Sequence, residues 1–266
     1  MNRGRIRCYG RENGSEWRLL ETGCSSAFYN MALDEAIMEA RMEDRAPPTL
    51  RLYGWKPRAV SIGYFQRLRE EVDIGKCKEL GIDVVRRMTG GGAVFHDKEV
   101  TYSVIASETD GSIPQGIQES YELICAGIVE GLGRVGVQAA LSTSNDIVVG
   151  AEKISGNAQK RRRGVILQHG TVLLDADYET MFGVLKNGKE ELKKRNTCMP
   201  RERMTSLREL NADDYDFEAV SRQLVRGFET VLGVRFSRKR PTKKECARAE
   251  TLIRSKYSSQ EWIELR

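Results

Sequence analysis

The apolar positions of this chain change period several times, and each change marks an element. After Ser25 and Ser26, either suited to cap a helix, Phe28, Met31, Ala32, Ala36, Ile37 and Ala40 fall on one helical face. Asp34 and Glu35 read as acids near the positive end of that helix, and Pro47 and Pro48 break it. Thr49 to Tyr53, Ala59 to Gly63, Ile82 to Met88, Ala93 to His96 and Val100 to Ala106 are short, rich in Val, Ile and Tyr, and punctuated by Gly or Asp. That pattern predicts strands of one sheet. In the last of them Val100, Tyr102, Val104 and Ala106 alternate with Thr101, Ser103 and Ile105, so one face packs on helices. Beyond Pro114 a helical stripe runs through Ile117, Tyr121, Ile124, Ile128 and Leu132. Two more strands, Lys153 to Gln159 and Val165 to Leu174, flank the basic hairpin tip Lys160 to Gly164. A helical pattern follows Asp177, and another passes through Phe217, Val220, Leu224, Phe228 and Val231 to stop at Gly233. A short strand, Val234 to Phe236, precedes a last helix from Thr242. Interleaved strands followed by helices predict an α+β fold with a mixed, largely antiparallel sheet covered by helices. Residues 1 to 16 carry no period and read as a flexible tail, with 17 to 266 a single domain.

Two stretches have no ordinary structural excuse. In Arg86-Arg87-Met88-Thr89-Gly90-Gly91-Gly92-Ala93-Val94-Phe95-His96-Asp97, three glycines interrupt strand-forming residues at a cost in stability, which points to a ligand approaching the backbone. Arg86 and Arg87 are neighbours on a strand and face opposite sides, so only one of them is aimed at that ligand. In Asn145-Asp146-Ile147 and Glu152-Lys153-Ile154-Ser155-Gly156-Asn157-Ala158-Gln159, one lysine sits among small residues with no obvious partner, and Gln168-His169-Gly170-Thr171 follows. Gly131-Leu132-Gly133-Arg134-Val135-Gly136 fits a dinucleotide fingerprint but closes a helix instead of opening one, and no Walker loop occurs.

Composition narrows the class. Lys and Arg exceed Asp and Glu by 43 to 38, enough for an anionic ligand or an acidic partner but far from a dedicated nucleic-acid binder. Six scattered cysteines and two histidines give neither a zinc pattern nor a disulfide framework, which fits a reducing cytoplasm. No apolar run reaches the roughly 18 residues of a membrane span.

On these motifs the chain resembles the lipoate-protein ligase family, relatives of biotin-protein ligases and of the octanoyltransferases that feed lipoate assembly. The likeness runs from Asn30-Met31-Ala32-Leu33-Asp34-Glu35-Ala36 through the glycine loop and the lysine hairpin to Lys256-Tyr257 and Glu261-Trp262. It implies a class II synthetase-like catalytic domain of the biotin/lipoate ligase kind. It also implies an ATP-dependent ligase that makes lipoyl-AMP and passes the lipoyl group to a lysine of an acidic lipoyl-acceptor domain or glycine cleavage H-like protein. Carried over by position, Arg87, Gly92, Ala93, Val94, Phe95 and Lys153 hold the adenylate, with Lys153 as the catalytic cation. Thr89, Gly90, Gly91, His96, Lys153, Ala158 and His169 line the lipoate site, and Asp146 is a candidate Mg²⁺ ligand at the nucleotide. The cofactors expected are ATP and Mg²⁺, with lipoate as substrate. Related ligases often carry a further small C-terminal domain for which this sequence leaves no room, so either a separate accessory subunit supplies it, the expectation favoured for a ligase, or the chain is a transferase that needs none.

Two other readings stay open. Octanoyltransferases of this family use a cysteine instead of ATP. One group carries it in the loop that reads Ser142-Thr143-Ser144-Asn145-Asp146 here, which has no thiol, and another carries it downstream of the His-Gly segment, where this chain has Cys198. Lys193, Lys194 and Arg195 beside Cys198 form the kind of cationic setting that lowers a thiol pKa. The third reading is a non-catalytic acyl- or RNA-binding module, for which Lys153 is dispensable. The Lys160 to Arg163 run is either a solvated tip or a docking element for an acidic partner.

Overall fold

The computed structural model, which describes residues 16–142, 145–186, 204–210 and 216–266, is a mixed α+β structure. Its first half holds β1 (Glu16–Ser25), α1 (Ala27–Met42), β2 (Thr49–Trp55), β3 (Ala59–Ile62), α2 (Leu68–Glu71), α3 (Ile74–Glu79), β4 (Asp83–Arg86), β5 (Val94–His96) and β6 (Glu99–Ser107). The second half holds α4 (Ile117–Gly133), β7 (Ala140–Leu141), β8 (Asp146–Val149), β9 (Glu152–Arg162), β10 (Val165–Leu173), α5 (Tyr178–Val184), α6 (Phe217–Leu232), β11 (Arg235–Lys239), α7 (Lys243–Leu252) and α8 (Gln260–Ile263). The proposed tail, apart from Glu16, lies outside the described residues, and so does Cys198.

Eight strands pair in the order β11-β1-β2-β6-β10-β9-β8-β7. β1 runs parallel to both its neighbours, and every other pair in this sheet is antiparallel. The single sheet expected from the sequence divides in two, because β3 pairs only with β4 and β5. Val60, Ile62 and Phe95 of this small sheet bury themselves with Leu68, Val72, Met181 and Val184 in a core of their own, so their apolar side chains are satisfied without joining the large sheet.

Alternation then decides what each face of the large sheet covers. Leu50, Leu52, Val100, Tyr102, Val104 and Ala106 point to one side and pack against Ile124, Ile128, Leu224 and Phe228 of α4 and α6. Tyr53, Trp55, Ile105 and Leu167 point to the other side and pack with Met31, Ala36 and Ile37 of α1. Glycine lets α4 and α6 approach closely. A Cβ on Gly227 would stand 2.3 Å from the Gly127 carbonyl oxygen, and one on Gly131 would stand 2.8 Å from the Cα of Leu224. Helix contact, not a dinucleotide, accounts for glycine at the end of α4.

The N-cap of α1 is Ser26, whose hydroxyl accepts from the Tyr29 N–H at 3.3 Å. Asp34 and Glu35 therefore lie in mid-helix, buried, and not at the dipole end as the sequence reading had them. Asp34 accepts from Arg51 Nη1 at 2.7 Å, Ser103 Oγ at 2.6 Å and Tyr53 OH at 3.1 Å, and Glu35 accepts from Lys256 Nζ and Tyr257 OH at 2.7 and 2.6 Å. These two acids tie α1 to the large sheet and to the C-terminal segment. Among the described residues no helix is long and apolar enough to cross a membrane.

Gly227→Ala is expected to destabilise the fold by about 1–3 kcal/mol through overpacking. Gly133→Ala, where an added Cβ meets nothing within 4 Å, should instead be neutral or mildly stabilising. Urea unfolding midpoints of the two variants test this, and equal midpoints would remove the close-contact account of the α4–α6 crossing.

Candidate active site

The pocket of about 290 Å³ opens between the small sheet, the glycine loop and the β8–β9–β10 strands. Arg87, Gly91, Gly92, Ala93, Val94, His96, Asp146, Lys153, Ala158 and His169 line it, so ten of the residues singled out in the sequence meet in one place. Thr89 is fully buried one layer behind, and the Gly90 carbonyl faces Arg87. Phe95 departs from expectation: between Val94 and His96 of β5 its side chain alternates away from the pocket into the small-sheet core. The sequence reading missed Met31, Tyr53, Trp55, Ser61 and Thr101 as wall residues. Only the pairing of β2, β3 and β6 brings them there, and no local motif signals it.

Arg87 organises the glycine loop. Its Nε donates to Thr89 Oγ1 at 3.2 Å, Nη1 to the carbonyl and hydroxyl of Ser61 at 3.0 and 3.2 Å, and Nη2 to the carbonyls of Gly90 and Gly92 at 2.8 and 2.7 Å. All five donors are used within the protein, so the guanidinium braces the loop. Burial pulls its pKa down to about 10, which still leaves it charged near neutrality, and no carboxylate pairs with it among the described residues. With the carbonyls of Gly90 and Gly92 turned onto Arg87, the N–H groups of the same trans peptides, those of Gly91 and Ala93, point away from it. Among the described residues the N–H groups of Gly90 to Ala93 meet no protein acceptor. Gly91 has φ +94°, and a Cβ on Gly63 would stand 2.1 Å from the Gly91 carbonyl oxygen. The loop is thus a row of N–H donors beside an uncompensated cation, which suits an anion or a carbonyl gaining negative charge. Arg86 points the other way and donates to the carbonyls of Gly63, Tyr64, Gln66, Trp262 and Ile263, which makes it a structural clamp.

Two relays converge on the same guanidinium. Ser61 Oγ lies 2.7 Å from His96 Nε2, and His96 Nδ1 lies 2.7 Å from Glu99 Oε1, with the imidazole stacked on Trp55 at 3.9 Å. Thr89 Oγ1 lies 2.7 Å from His169 Nε2, and His169 Nδ1 stands 3.7 Å from Asp34 Oδ2, too far for a hydrogen bond. Each hydroxyl accepts from Arg87 and so has its own hydrogen to give to Nε2. This network assigns the Nδ1–H tautomer to both rings. Burial lowers the pKa of His169. Burial opposes the ionised form of Asp34 as well, but Arg51 and its hydrogen bonds hold that carboxyl below the ordinary range.

Lys153 reaches the pocket through a β-bulge. On β8 the consecutive residues Ile147 and Val148 pair with Ser155 and Lys153, which leaves Ile154 as an extra residue on β9. Ile154 packs into the α4–α6 core and Ser155 turns to Asn157 on the same side, while Lys153, Gly156 and Ala158 line the pocket. The lysine also has a partner that the sequence did not reveal: Nζ lies 2.8 Å from Asp146 Oδ1. Its side chain passes over Gly156, where a Cβ would stand 2.9 Å from both Cε and Nζ. Asn157 Nδ2 donates to the carbonyl of Asn145 at 2.8 Å and so fixes the start of β8. The Lys153 carbonyl accepts from the Thr205 N–H at 2.9 Å, and Met204 bridges to the same residue.

Among the described residues Asp146 is the single carboxylate lining the pocket, and it is engaged by Lys153. Among the described residues no group of three His, Cys, Asp or Glu gathers to hold a metal ion. The four described cysteines lie away from the pocket: burial pushes the thiols of Cys77 and Cys125 up to about 11 and 12, and Cys24 and Cys246 sit on β1 and α7.

Residues 26–229 match the family model described as the lipoyl protein ligase A/B catalytic domain. The chain is 42% identical to octanoyltransferase LipM of Kyrpidia tusciae, over 92% of this chain and 97% of that one, and 37% identical to octanoyltransferase LipM of Geobacillus kaustophilus with the same coverage. It superposes with a TM-score of 0.81 on a bi-partite lipoate protein ligase from Thermoplasma acidophilum, at 32% identity over 94% of this chain and 97% of that one.

Gly156→Ala should displace the Lys153 side chain and lower turnover about tenfold or more with little loss of stability, since a flexible side-chain end gives way more readily than backbone. A variant with full activity would show that the ammonium position is immaterial. The lowered pKa of His169 sets a pH dependence. Above about 6.5 its contribution to stability is complete, and below that value the unfolded chain binds a proton that the fold refuses. Unfolding midpoints should therefore fall as pH drops from 7.5 to 5.5, and His169→Gln should flatten that slope.

Proposed function

The chain belongs to the lipoyl protein ligase A/B catalytic-domain family, and we propose that within it this enzyme is an ATP-independent octanoyltransferase. It takes an octanoyl group from the thioester of a carrier protein and passes it to a lysine of a lipoyl-acceptor domain. The observation that carries this reading is the attachment of Met204 beside Lys153. Cys198 lies outside the described residues, and five residues separate it in sequence from Met204, the residue that bridges to Lys153. None of the described cysteines lines the pocket, and this reading assigns the nucleophile to Cys198.

In the first half-reaction the Cys198 thiolate attacks the acyl carbonyl and the carrier thiolate departs, taking up a proton. In the second, the acceptor amine attacks the enzyme thioester, an amide forms, and the Cys198 thiol is regenerated. Both steps pass through an oxyanion. The Lys153 ammonium and the free N–H groups of the glycine loop supply its stabilisation, at roughly 3–4 kcal/mol for a key donor. Arg87 acts by holding that loop and by its field.

A second reading, an ATP-dependent lipoate ligase forming lipoyl-AMP with Mg²⁺, is favoured by one feature: the pocket wall among the described residues is free of thiols and rich in anion-binding groups. In that chemistry the same donors would neutralise the carboxylate and the α-phosphate as they are brought together, and Asp146 would have to exchange Lys153 for the metal ion.

Octanoyl transfer from an acyl carrier to an acceptor domain, measured without ATP, should proceed with the wild-type chain and fall by at least about a hundredfold in Cys198→Ala and Lys153→Ala. Pyrophosphate release from ATP and lipoate, with and without a small companion subunit, is measured alongside. Pyrophosphate release that survives Cys198→Ala would overturn the transferase reading in favour of the ligase. Indifference of both activities to Lys153→Ala would leave only a binding module.

A further inference from the structure

Phe65 is 68% exposed, an unusual position for so large an apolar ring. It stands edge-on to Tyr64 with ring centroids 5.0 Å apart, and a Cβ on Gly90 would touch it at 3.9 Å, so it rests on the first residue of the glycine loop. From the opposite wall, β9 leads out of the pocket along one side: Ala158 lines the cavity, and Lys160, two residues on, carries its ammonium 5.5 Å from the Tyr64 ring. Arg266 sits 5.5 Å from Tyr64 and 5.3 Å from Phe65. Arg67 and Arg69 are neutralised by Glu70 and Glu264, whereas Lys160, Arg266 and Arg163 at the hairpin tip have no carboxylate partner among the described residues. The mouth of the pocket therefore presents an aromatic knob ringed by unneutralised cations.

We propose that this patch is the docking surface for an acidic carrier domain, one that offers an apolar side chain among carboxylates next to its acyl-bearing arm. The proposal rests on the acyl-transfer reading above. Cations at the rim speed encounter with an acidic partner and set its orientation, while an exposed aromatic is the side-chain type that anchors such an interface. Because Phe65 rests against the glycine loop and Lys160 follows the wall residue Ala158 along β9, a domain seated on them has its attached chain beside the pocket. A hydrated, functionless rim would not need the ring of Phe65 uncovered beside the loop.

The test titrates an acidic acyl carrier protein, loaded with octanoate, against the full chain by fluorescence anisotropy, and measures transfer from that carrier and from octanoyl-pantetheine. Phe65→Ser and Lys160→Glu should each weaken carrier binding about tenfold and raise KM for the loaded carrier in proportion. Turnover of octanoyl-pantetheine should stay unchanged. Wild-type affinity should fall as salt rises. The proposal is overturned if the variants bind the carrier as tightly as wild type, or if both donors lose activity together. Variant-sensitive binding without transfer from either donor would support the surface and refute the chemistry. Transfer from octanoyl-pantetheine by a chain that does not bind the carrier would do the reverse.

Discussion

A single buried guanidinium governs the geometry of the pocket. Removing a charge from water costs roughly several kcal/mol even after relaxation, and among the described residues Arg87 has no carboxylate to offset that cost. Its compensation is five hydrogen bonds to carbonyl and hydroxyl oxygens, each worth roughly 1.5–3 kcal/mol when the donor is charged. Those oxygens come from β3 and from the glycine loop, so satisfying the cation is the same event as folding the loop. The field of the guanidinium remains unspent. It is available to an anion, and the loop that it holds presents N–H groups that meet no acceptor among the described residues.

The surrounding layers keep that arrangement rigid. Ser61 and Thr89 must each give a hydrogen to a histidine while accepting from Arg87, and each histidine is backed by a buried acid. One of those acids, Asp34, also anchors α1 through Arg51, Tyr53 and Ser103. The helix and the loop are consequently linked by polar contacts that are hydrogen bonds at every step except the 3.7 Å approach of His169 to Asp34. Opposite them, Lys153 is held by Asp146 and lies over Gly156, so the second cation of the pocket is positioned by its own strand pair and not by Arg87. Two cations with independent supports, on facing walls, suit chemistry in which negative charge appears on one carbonyl oxygen and is then withdrawn.

Much of this was legible in the chain itself. The helix after Ser26, the hairpin around Arg163 and Gly164, the helix ending at Gly233 and the capped helix after Thr242 all carry local signals, namely spacing, caps and glycines in left-handed turns. The glycine run and the isolated lysine marked the site because both sacrifice stability for no local return. Other features were out of reach. Asp34 and Glu35 look like dipole acids until the partners of α1 are known, and Arg86 and Arg87 are chemically identical until one meets five carbonyls and the other meets the pocket.

The amino-acid sequence by itself determined most of the helices and strands, though not β1, α2, α3, β7 or β8, and which residue types gather at the glycine loop, because period, caps and backbone freedom act over a few neighbouring residues. The tertiary structure alone decided that β3, β4 and β5 form a separate sheet, that Phe95 turns away from the pocket, and that Lys153 turns into it. The last case shows the reason. Simple alternation along β9 would send Lys153 and Ala158 to opposite faces, since their positions differ by an odd number, five, and only the extra residue Ile154, taken up by pairing with β8, brings them together. Register is a property of two strands, and one strand's sequence does not contain it.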